Sequence, residues 1–481
     1  LPGPTNTSQQ LRFAVIGAGI SGLTAAYRLT QLLPNPRVEV FEATNQLGGV
    51  LSTLKQDQLL FERGADSFLA KQPWAVELCQ ELGLADELIP TNTSNRRALV
   101  LRAGELYPVP EGFFMMRPQR VLPILRSRLL SWPGKLRLLA ERWIPRPAKI
   151  ERPDYDENLA RFATDRLGRE AFTRLVEPLL AGIYTADANQ LSVAATMPEA
   201  VELVRKHGTL WHREPSPDSA TRAASGARYG SFVSLRDGLS RLIDELAGRL
   251  PPDSIHLNQP AKQLSRDHQR NWLLKLADDS THGPFDGVVS ALPAPQTANL
   301  VECEDSRLAG LLRRIPYASS AVVCFVFRQD QMARPLDAFG IVVPAAENSR
   351  MVAASFSSVK FPGRSPVDQV VVRVFMGGTL RPEFVDFSDD ELREIAIGEL
   401  SPLLKLSGTP LFAEVVRWRE KMPQYHVGHI QLVDEIEARA TELSGFALAG
   451  NGYRGVGIPY CVRSGNEAAT RLAAGIERSR G

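Results

Sequence analysis

The sequence predicts an α/β fold made of a discontinuous domain split along the chain, a mixed-sheet domain and a helical domain. Three observations carry this. A short apolar run, Arg12-Phe13-Ala14-Val15-Ile16, leads into Gly17-Ala18-Gly19-Ile20-Ser21-Gly22 and a helical stretch from Leu23 to Leu32. A second run, Phe446-Ala447-Leu448-Ala449, ends on Gly450 far downstream and feeds another helix. Between them, Tyr317 to Gly377 alternates or runs in β-branched residues, as sheets do. At roughly 150 residues per domain, 481 residues allow two or three domains.

The first element is the buried strand that a parallel sheet needs. Gly17 permits a tight turn, Gly19 lets a pyrophosphate approach the backbone, and Gly22 lets helix and strand pack closely. Unpaired N–H groups at the helix start offer themselves to phosphates. A second strand, Arg37-Val38-Glu39-Val40-Phe41, ends on Glu42, 20 residues past Gly22. An acid there accepts hydrogen bonds from ribose hydroxyls and disfavours a 2′-phosphate, which argues against NADP. Strand, turn, helix and acid together predict a Rossmann-like dinucleotide-binding domain.

Glu42-Ala43 leads to Gly48-Gly49, and then to Phe61-Glu62-Arg63-Gly64-Ala65-Asp66-Ser67-Phe68. This order resembles the amine-oxidase-like flavoprotein superfamily, which implies FAD rather than NAD and a second stretch beside the isoalloxazine. Val50 stands where that superfamily usually has Arg or Lys. Near the C-terminus, Asn451 to Ile458 forms a glycine-rich approach, and Pro459 suits the first turn of a helix reaching about Arg478. The positive end of that helix favours charge developing on a reduced flavin.

Middle pieces complete the FAD-binding domain. Ser231 to Leu250 reads as loop to helix, Ser254 to Leu257 and Trp272 to Leu276 as strands, and Phe285 to Ala291 as a buried strand. Ala261 falls where such folds set a small apolar residue against adenine. The expected partition is 1–75, 226–295 and 441–481 for FAD, 76–225 for a helical, membrane-associating domain, and 296–440 for a β-rich substrate domain. Helical spacing marks Trp74–Leu84, Asn158–Leu167 and Glu170–Leu180 within a region, 76 to about 205, that reads as helical. Residues 211–228, rich in Pro, Ser, Ala and Gly, suit an exposed loop.

A net charge of +2 gives no reason to expect nucleic-acid binding. Locally, Phe113-Phe114-Met115-Met116 precedes Arg117, Arg120, Arg126, Arg128, Lys135, Arg137, Arg142, Arg146 and Lys149, opposed by Glu141 alone. Three readings stand open for 113–149: a membrane surface, a solvated basic face, or a cationic route for an anionic substrate. The four cysteines, Cys79, Cys303, Cys324 and Cys461, form no C-x-x-C pair and read as thiols in a reducing compartment. His426 and His429 lack further ligands and read as part of a structural loop, so no metal is expected. Leu1 to Gln10 reads as a disordered lead-in without a signal pattern. No apolar run approaches the ~20 residues of a spanning helix, so a cytoplasmic protein, peripheral at most at the inner face of a membrane, is expected.

Four blocks narrow the resemblance. Glu62-Arg63-Gly64-Ala65-Asp66-Ser67-Phe68-Leu69 resembles the E-R-G-P-D-S-F-L of oxygen-dependent porphyrinogen oxidases, with Ala65 for Pro. Glu177-Pro178-Leu179-Leu180-Ala181-Gly182-Ile183-Tyr184, then Leu191-Ser192, resembles their E-P-L-L-x-G-I-Y…L-S. Trp418 with Met422-Pro423-Gln424-Tyr425 and Gly428-His429 matches W…P-Q-Y-x-x-G-H. Gly455-Val456-Gly457-Ile458-Pro459, then Cys461, matches the last block, with Tyr460 replacing an acid.

The resemblance implies oxidation of a porphyrinogen to the porphyrin in haem synthesis, with O2 as acceptor and H2O2 released. It leaves open whether the tetrapyrrole is protoporphyrinogen IX or coproporphyrinogen III. It implies FAD contacts at Gly17, Ala18, Gly19, Ile20, Ser21, Gly22, Glu42, Ala43, Gly48, Gly49 and Val50. Further contacts fall at Gly64, Ala65, Asp66, Ser67, Ala261, Trp418, Gly450, Val456, Gly457 and Ile458. Lys71 and Arg97 (with Arg96 a rival by one place) are candidates for pairing substrate propionates, and Tyr184 for lining the cavity. No catalytic base is singled out, because hydride transfer and pyrrole tautomerisation leave the protein to position substrate and exclude water. Contact with other haem-synthesis enzymes is a further expectation. The alternatives are an amine oxidase, with Tyr453 as one of two flanking rings, and a non-catalytic flavoprotein.

Overall fold

The structure is a computed structural model describing residues 10–211 and 232–480. Of the lead-in expected at Leu1 to Gln10, residues 1–9 lie outside them, and of the loop expected at 211–228, residues 212–228.

Arg12–Ile16 sits at the centre of a five-stranded, all-parallel sheet. Its neighbours are Arg37–Phe41 on one side and Gly287–Ser290 on the other, with Ile255–His256 and Phe446–Leu448 at the edges. Numbered by chain order, these five strands lie 3-2-1-4-5. The order reverses at the first strand, so a ligand crevice opens beyond its C-terminal end. Apart from Arg12, Arg37 and the half-buried edge strand Ile255–His256, the strands are buried on both faces, which explains their largely apolar runs.

Two helices cover one face. Ile20–Leu32 follows the glycine turn and packs along the terminal helix, Ile458–Arg480. Pro459 stands second in that helix, as expected from its fixed φ and missing N–H. Pro73–Glu81 packs on the terminal helix as well.

The sequence predicts one strand from Phe285 to Ala291, and the structure divides it. Phe285 ends an antiparallel meander of Ala261–Arg266, Trp272–Leu276 and Thr281–Phe285, whereas Gly287–Ser290 enters the parallel sheet. Asp286 separates the two and accepts the Arg12 backbone N–H. The segment read as loop to helix likewise holds a strand, Phe232–Leu235, before its helix Ser240–Gly248.

A seven-stranded mixed sheet forms the second layer. Its order is Phe412–Pro423, Tyr317–Arg328, Gln369–Gly377, Met351–Phe356, Gly340–Val342, Ala98–Arg102 and Glu105–Pro108. All neighbours are antiparallel except Gly340–Val342 beside Ala98–Arg102. This corrects the helical reading of 76–205. Leu88–Pro90, Ala98–Arg102, Glu105–Pro108, Phe113–Phe114 and Arg117–Pro118 are strands. Helices do dominate from Val121 onward, including Trp132–Leu139, Leu159–Leu167 and Glu177–Tyr184. Asn158 caps one of them, accepting the Arg161 N–H at 2.7 Å.

Candidate active site

The glycine turn lies at the switch point. The Gly17 N–H donates to the Phe41 carbonyl at 2.8 Å, tying the turn to the end of the second strand. Glu42 accepts the Ala18 N–H at 2.9 Å through Oε2, and the Thr44 N–H and hydroxyl at 3.0 and 2.9 Å through Oε1. Its carboxylate is thereby fixed at the strand ends, with lone pairs left for ribose hydroxyls. A Cβ at Gly22 would lie 1.9 Å from the Gly17 carbonyl oxygen, so only glycine lets the helix start so close to the strand. Gly19 is the N-cap, carries no side-chain cap, and has no atom within 4 Å of where its Cβ would be. The helix N-terminus, with Ile20 and Ser21 in its first turn, therefore faces open space. A diphosphate fits this cradle.

The second glycine pair lies alongside. The Gly48 N–H donates to the Ala18 carbonyl at 2.9 Å, and Ala43 is exposed nearby in sequence. Val50, half-buried, packs against the core of the first domain, as Ala65 does. A Cβ at Gly64 would fall 2.0 Å from the Val50 carbonyl oxygen and 3.5 Å from the Trp418 ring. The Gly64–Ser67 stretch thus continues the surface begun by the phosphate turn.

Four side chains from the mixed sheet and its flanking helix fasten that stretch. Glu414 pairs with Arg63 at 2.5 Å, and the Trp418 indole N–H donates to the Arg63 carbonyl at 3.0 Å. Lys360 Nζ lies 2.7 Å from Asp66 Oδ1 and 2.9 Å from Ser67 Oγ. Arg373 lies 3.3 Å from Asp66 Oδ2 and donates to the Gly64 carbonyl. Burial alone raises a carboxyl pKa, yet Lys360 and Arg373 hold that of Asp66 well below the usual carboxylate range. Sequence reasoning missed both cations. The signal for Arg373 was present: it is the one charge in the apolar strand Gln369–Gly377.

The C-terminal approach closes the same region. Ile458 joins Ala18, Ile20, Leu51 and Phe68 in one hydrophobic cluster. The Tyr460 and Cys461 N–H groups donate to the Gly457 carbonyl, at 2.9 and 3.0 Å, beside Val456. The Gly450 N–H donates to Ser464 Oγ at 3.0 Å. The Pro423-Gln424-Tyr425 block holds this loop from below. The Tyr425 hydroxyl donates to the Asn451 carbonyl at 2.5 Å and accepts the Gly455 N–H at 2.9 Å. His429 stacks on Tyr425 at 3.9 Å, with Nε2 2.9 Å from the Tyr453 carbonyl. Tyr460 packs on Trp74, and Ala261 opens the meander against the cluster holding Ile16 and Phe41.

The substrate-side residues are more dispersed. Tyr184 and Phe375 pack on the same cluster, and the Tyr184 hydroxyl donates to the Thr196 carbonyl at 3.3 Å. Lys71 is exposed, 3.6 Å from Glu199, and lines a cleft of about 620 Å³ with Arg117, Arg205 and Lys206. Arg97 does not line that cleft. It pairs with Asp337 and donates to its carbonyl at 2.8 Å, while Arg96 donates to the Thr91 and Asn92 carbonyls. Tyr453 belongs to a hydrophobic core with Leu432 and Ala294, a place that does not suit a ring flanking the flavin.

A family model described as flavin containing amine oxidoreductase matches residues 20–473. The chain belongs to the flavin-containing amine oxidoreductases. The family's cofactor is a flavin, and the dinucleotide geometry above makes it FAD. The chain is 31% identical to a coproporphyrinogen III oxidase of Propionibacterium freudenreichii, over 98% of this chain and 92% of that one. It is 29% identical to the coproporphyrinogen III oxidase of Bacillus subtilis, over 95% and 96%. Protoporphyrinogen oxidase 2 of Arabidopsis thaliana matches at 27%, over 97% and 94%. A crystal structure from Exiguobacterium sp. 255-15, proposed to be a protoporphyrinogen oxidase, superposes with a TM-score of 0.85 at 28% identity, covering 97% of this chain and 99% of that one. The resemblance read from the four sequence blocks is borne out along almost the whole chain.

Proposed function

We propose that this flavoenzyme oxidises a porphyrinogen to its porphyrin in haem synthesis, with coproporphyrinogen III as the substrate. The observation that carries the reading is the intact dinucleotide cradle, joined through Gly64–Ser67 to a mixed sheet in a chain similar throughout to porphyrinogen oxidases. Relatives named for coproporphyrinogen III match at 31% and 29%, against 27% and 28% for proteins named for protoporphyrinogen, which favours the tetracarboxylate. Bound FAD supplies a two-electron acceptor that O2 reoxidises, so six electrons leave in three rounds with three H2O2. The chain positions the macrocycle, excludes water and meets its carboxylates with cations such as Lys71 and Arg97, the latter by exchanging Asp337 for a propionate. The described residues of 1–75, 226–295 and 441–481 hold FAD, 296–440 wall the substrate together with the strands Ala98–Arg102 and Glu105–Pro108, and the helical part of 76–225 from Val121 onward approaches a membrane.

Membrane approach is supported by exposed Leu122, Trp132, Leu136 and Trp143 beside exposed Arg126, Arg128, Arg142 and Arg146. No helix of the described residues is long and apolar enough to cross a membrane. We infer a cytoplasmic enzyme that rests on the inner face and meets neighbouring haem-synthesis enzymes there. Aerobic incubation with coproporphyrinogen III should yield porphyrin fluorescence and three H2O2 per porphyrin. Absence of enzyme-dependent porphyrin would reject the reading.

A further inference from the structure

We propose that Arg373, with Lys360 beside it, is a positioning residue whose positive charge raises the reduction potential of the bound flavin. The inference rests on the reading that Gly64–Ser67 runs beside the isoalloxazine.

Arg373 is the only charged side chain in its strand, and that side chain is 1% exposed. A guanidinium so buried is retained only with partners that repay its desolvation. Two of its partners lie on the cofactor stretch, the Asp66 carboxylate and the Gly64 carbonyl, while Cys324 on the neighbouring strand and the Phe375 ring at 5.0 Å on its own strand flank it within the mixed sheet. Lys360, 10% exposed, reaches the other oxygen of Asp66 and the Ser67 hydroxyl. Two cations thus share one carboxylate in a poorly screened setting. Around them, Arg63 faces Glu414, and buried Arg364 faces Glu62 and Asp237, with Glu62 also acting on Arg373. Neutralising Arg373 or Lys360 alone therefore leaves the surroundings of Asp66 more negative.

The placement answers a gap in the first domain. Val50 carries no charge directly after the Gly48-Gly49 pair, and its backbone abuts Gly64. Arg373 reaches that same Gly64 from 309 residues downstream. The mixed sheet therefore brings a cation to the Gly64–Ser67 loop, beside Val50, where the first domain supplies none. A flavin gains negative charge when it accepts two electrons, and fixed, buried cations such as Arg373 and Lys360 favour that form.

The test is a redox titration of the purified holoenzyme against a reference dye, under argon and without any porphyrinogen. Arg373→Gln and Lys360→Gln should each lower the ratio of reduced to oxidised flavin at a given dye poise about tenfold, near 30 mV for a two-electron couple. Arg373→Lys, which keeps the charge, should stay within about threefold of wild type. FAD content is read from visible absorbance. If Arg373→Gln does not fold, the doubly neutral Asp66→Asn/Arg373→Gln variant, which leaves Lys360 as its only cation, is titrated against Asp66→Asn, and the same fall is expected. Wild-type potential in FAD-loaded Gln variants would overturn the proposal. So would an equal fall in Arg373→Lys, which would assign the effect to shape. The readout involves no substrate, so it stands or falls separately from porphyrinogen oxidation.

Discussion

Gly22 and His429 show how single side chains set the site. A methyl at Gly22 would press on the Gly17 carbonyl oxygen, and overpacking of this kind costs ~1–3 kcal/mol. Gly22→Ala should therefore lose FAD, read as loss of the visible flavin spectrum, while keeping its far-UV circular dichroism. A fully loaded variant would contradict the cradle. Burial lowers the His429 imidazole from 6.5 to about 4. The folded state keeps it neutral, so its stabilisation is complete above 6.5 and is lost as pH falls through that window towards 4. The loss is on the order of 3 kcal/mol. Urea midpoints of wild type should fall more steeply between pH 7 and pH 5 than those of His429→Gln, and parallel slopes would exclude this role. At this scale the glycines and Glu42 were legible, because a turn and a ribose acid require particular residues at fixed spacing. Lys360 was not, because its meaning comes from Asp66, 294 positions earlier.

The elements were legible where their chemistry is local. The first strand and helix, the Asn158-capped helix and the proline-led terminal helix all carry start signals in the chain itself. The strands between 88 and 118 were not. Ala98–Arg102 is a five-residue apolar run that periodicity alone does not separate from a buried helix, and its parallel partner Gly340–Val342 lies far downstream. The basic segment 113–149 divides on folding. Phe113 to Arg117 and Lys135 are buried, whereas Trp132, Leu136 and Trp143 are exposed at 64%, 62% and 75%. Sedimentation with vesicles rich in anionic lipid should carry down the wild type. The Trp132→Ala/Trp143→Ala variant should bind at least fivefold less, with unchanged turnover in solution. Equal sedimentation would remove these rings from the contact.

Across the whole molecule, the first domain and the mixed sheet are fastened together at one short stretch. The loop Arg63–Ser67, between the strands Leu59–Glu62 and Phe68–Leu69, packs on the first domain, and the mixed sheet grips it through Arg373, Trp418 and Glu414. The first domain and the mixed sheet are thus joined by ionic and hydrogen-bonded contacts. Lys71 and Arg97, proposed to meet substrate carboxylates, sit further out and occupy different places. Lys71→Ala or Arg97→Ala should raise KM for coproporphyrinogen III about fivefold with little change in kcat, and an unchanged KM would release that residue from the role. The fold class and cofactor were legible from ordered motifs, but the join between the first domain and the mixed sheet was not, since it exists only after long-range pairing. Anaerobic mixing of the FAD-loaded enzyme with coproporphyrinogen III and, separately, protoporphyrinogen IX, following flavin absorbance, bears most directly on the proposed oxidation. Coproporphyrinogen III should bleach the flavin faster than protoporphyrinogen IX; a flavin that neither porphyrinogen reduces would rule the oxidation out.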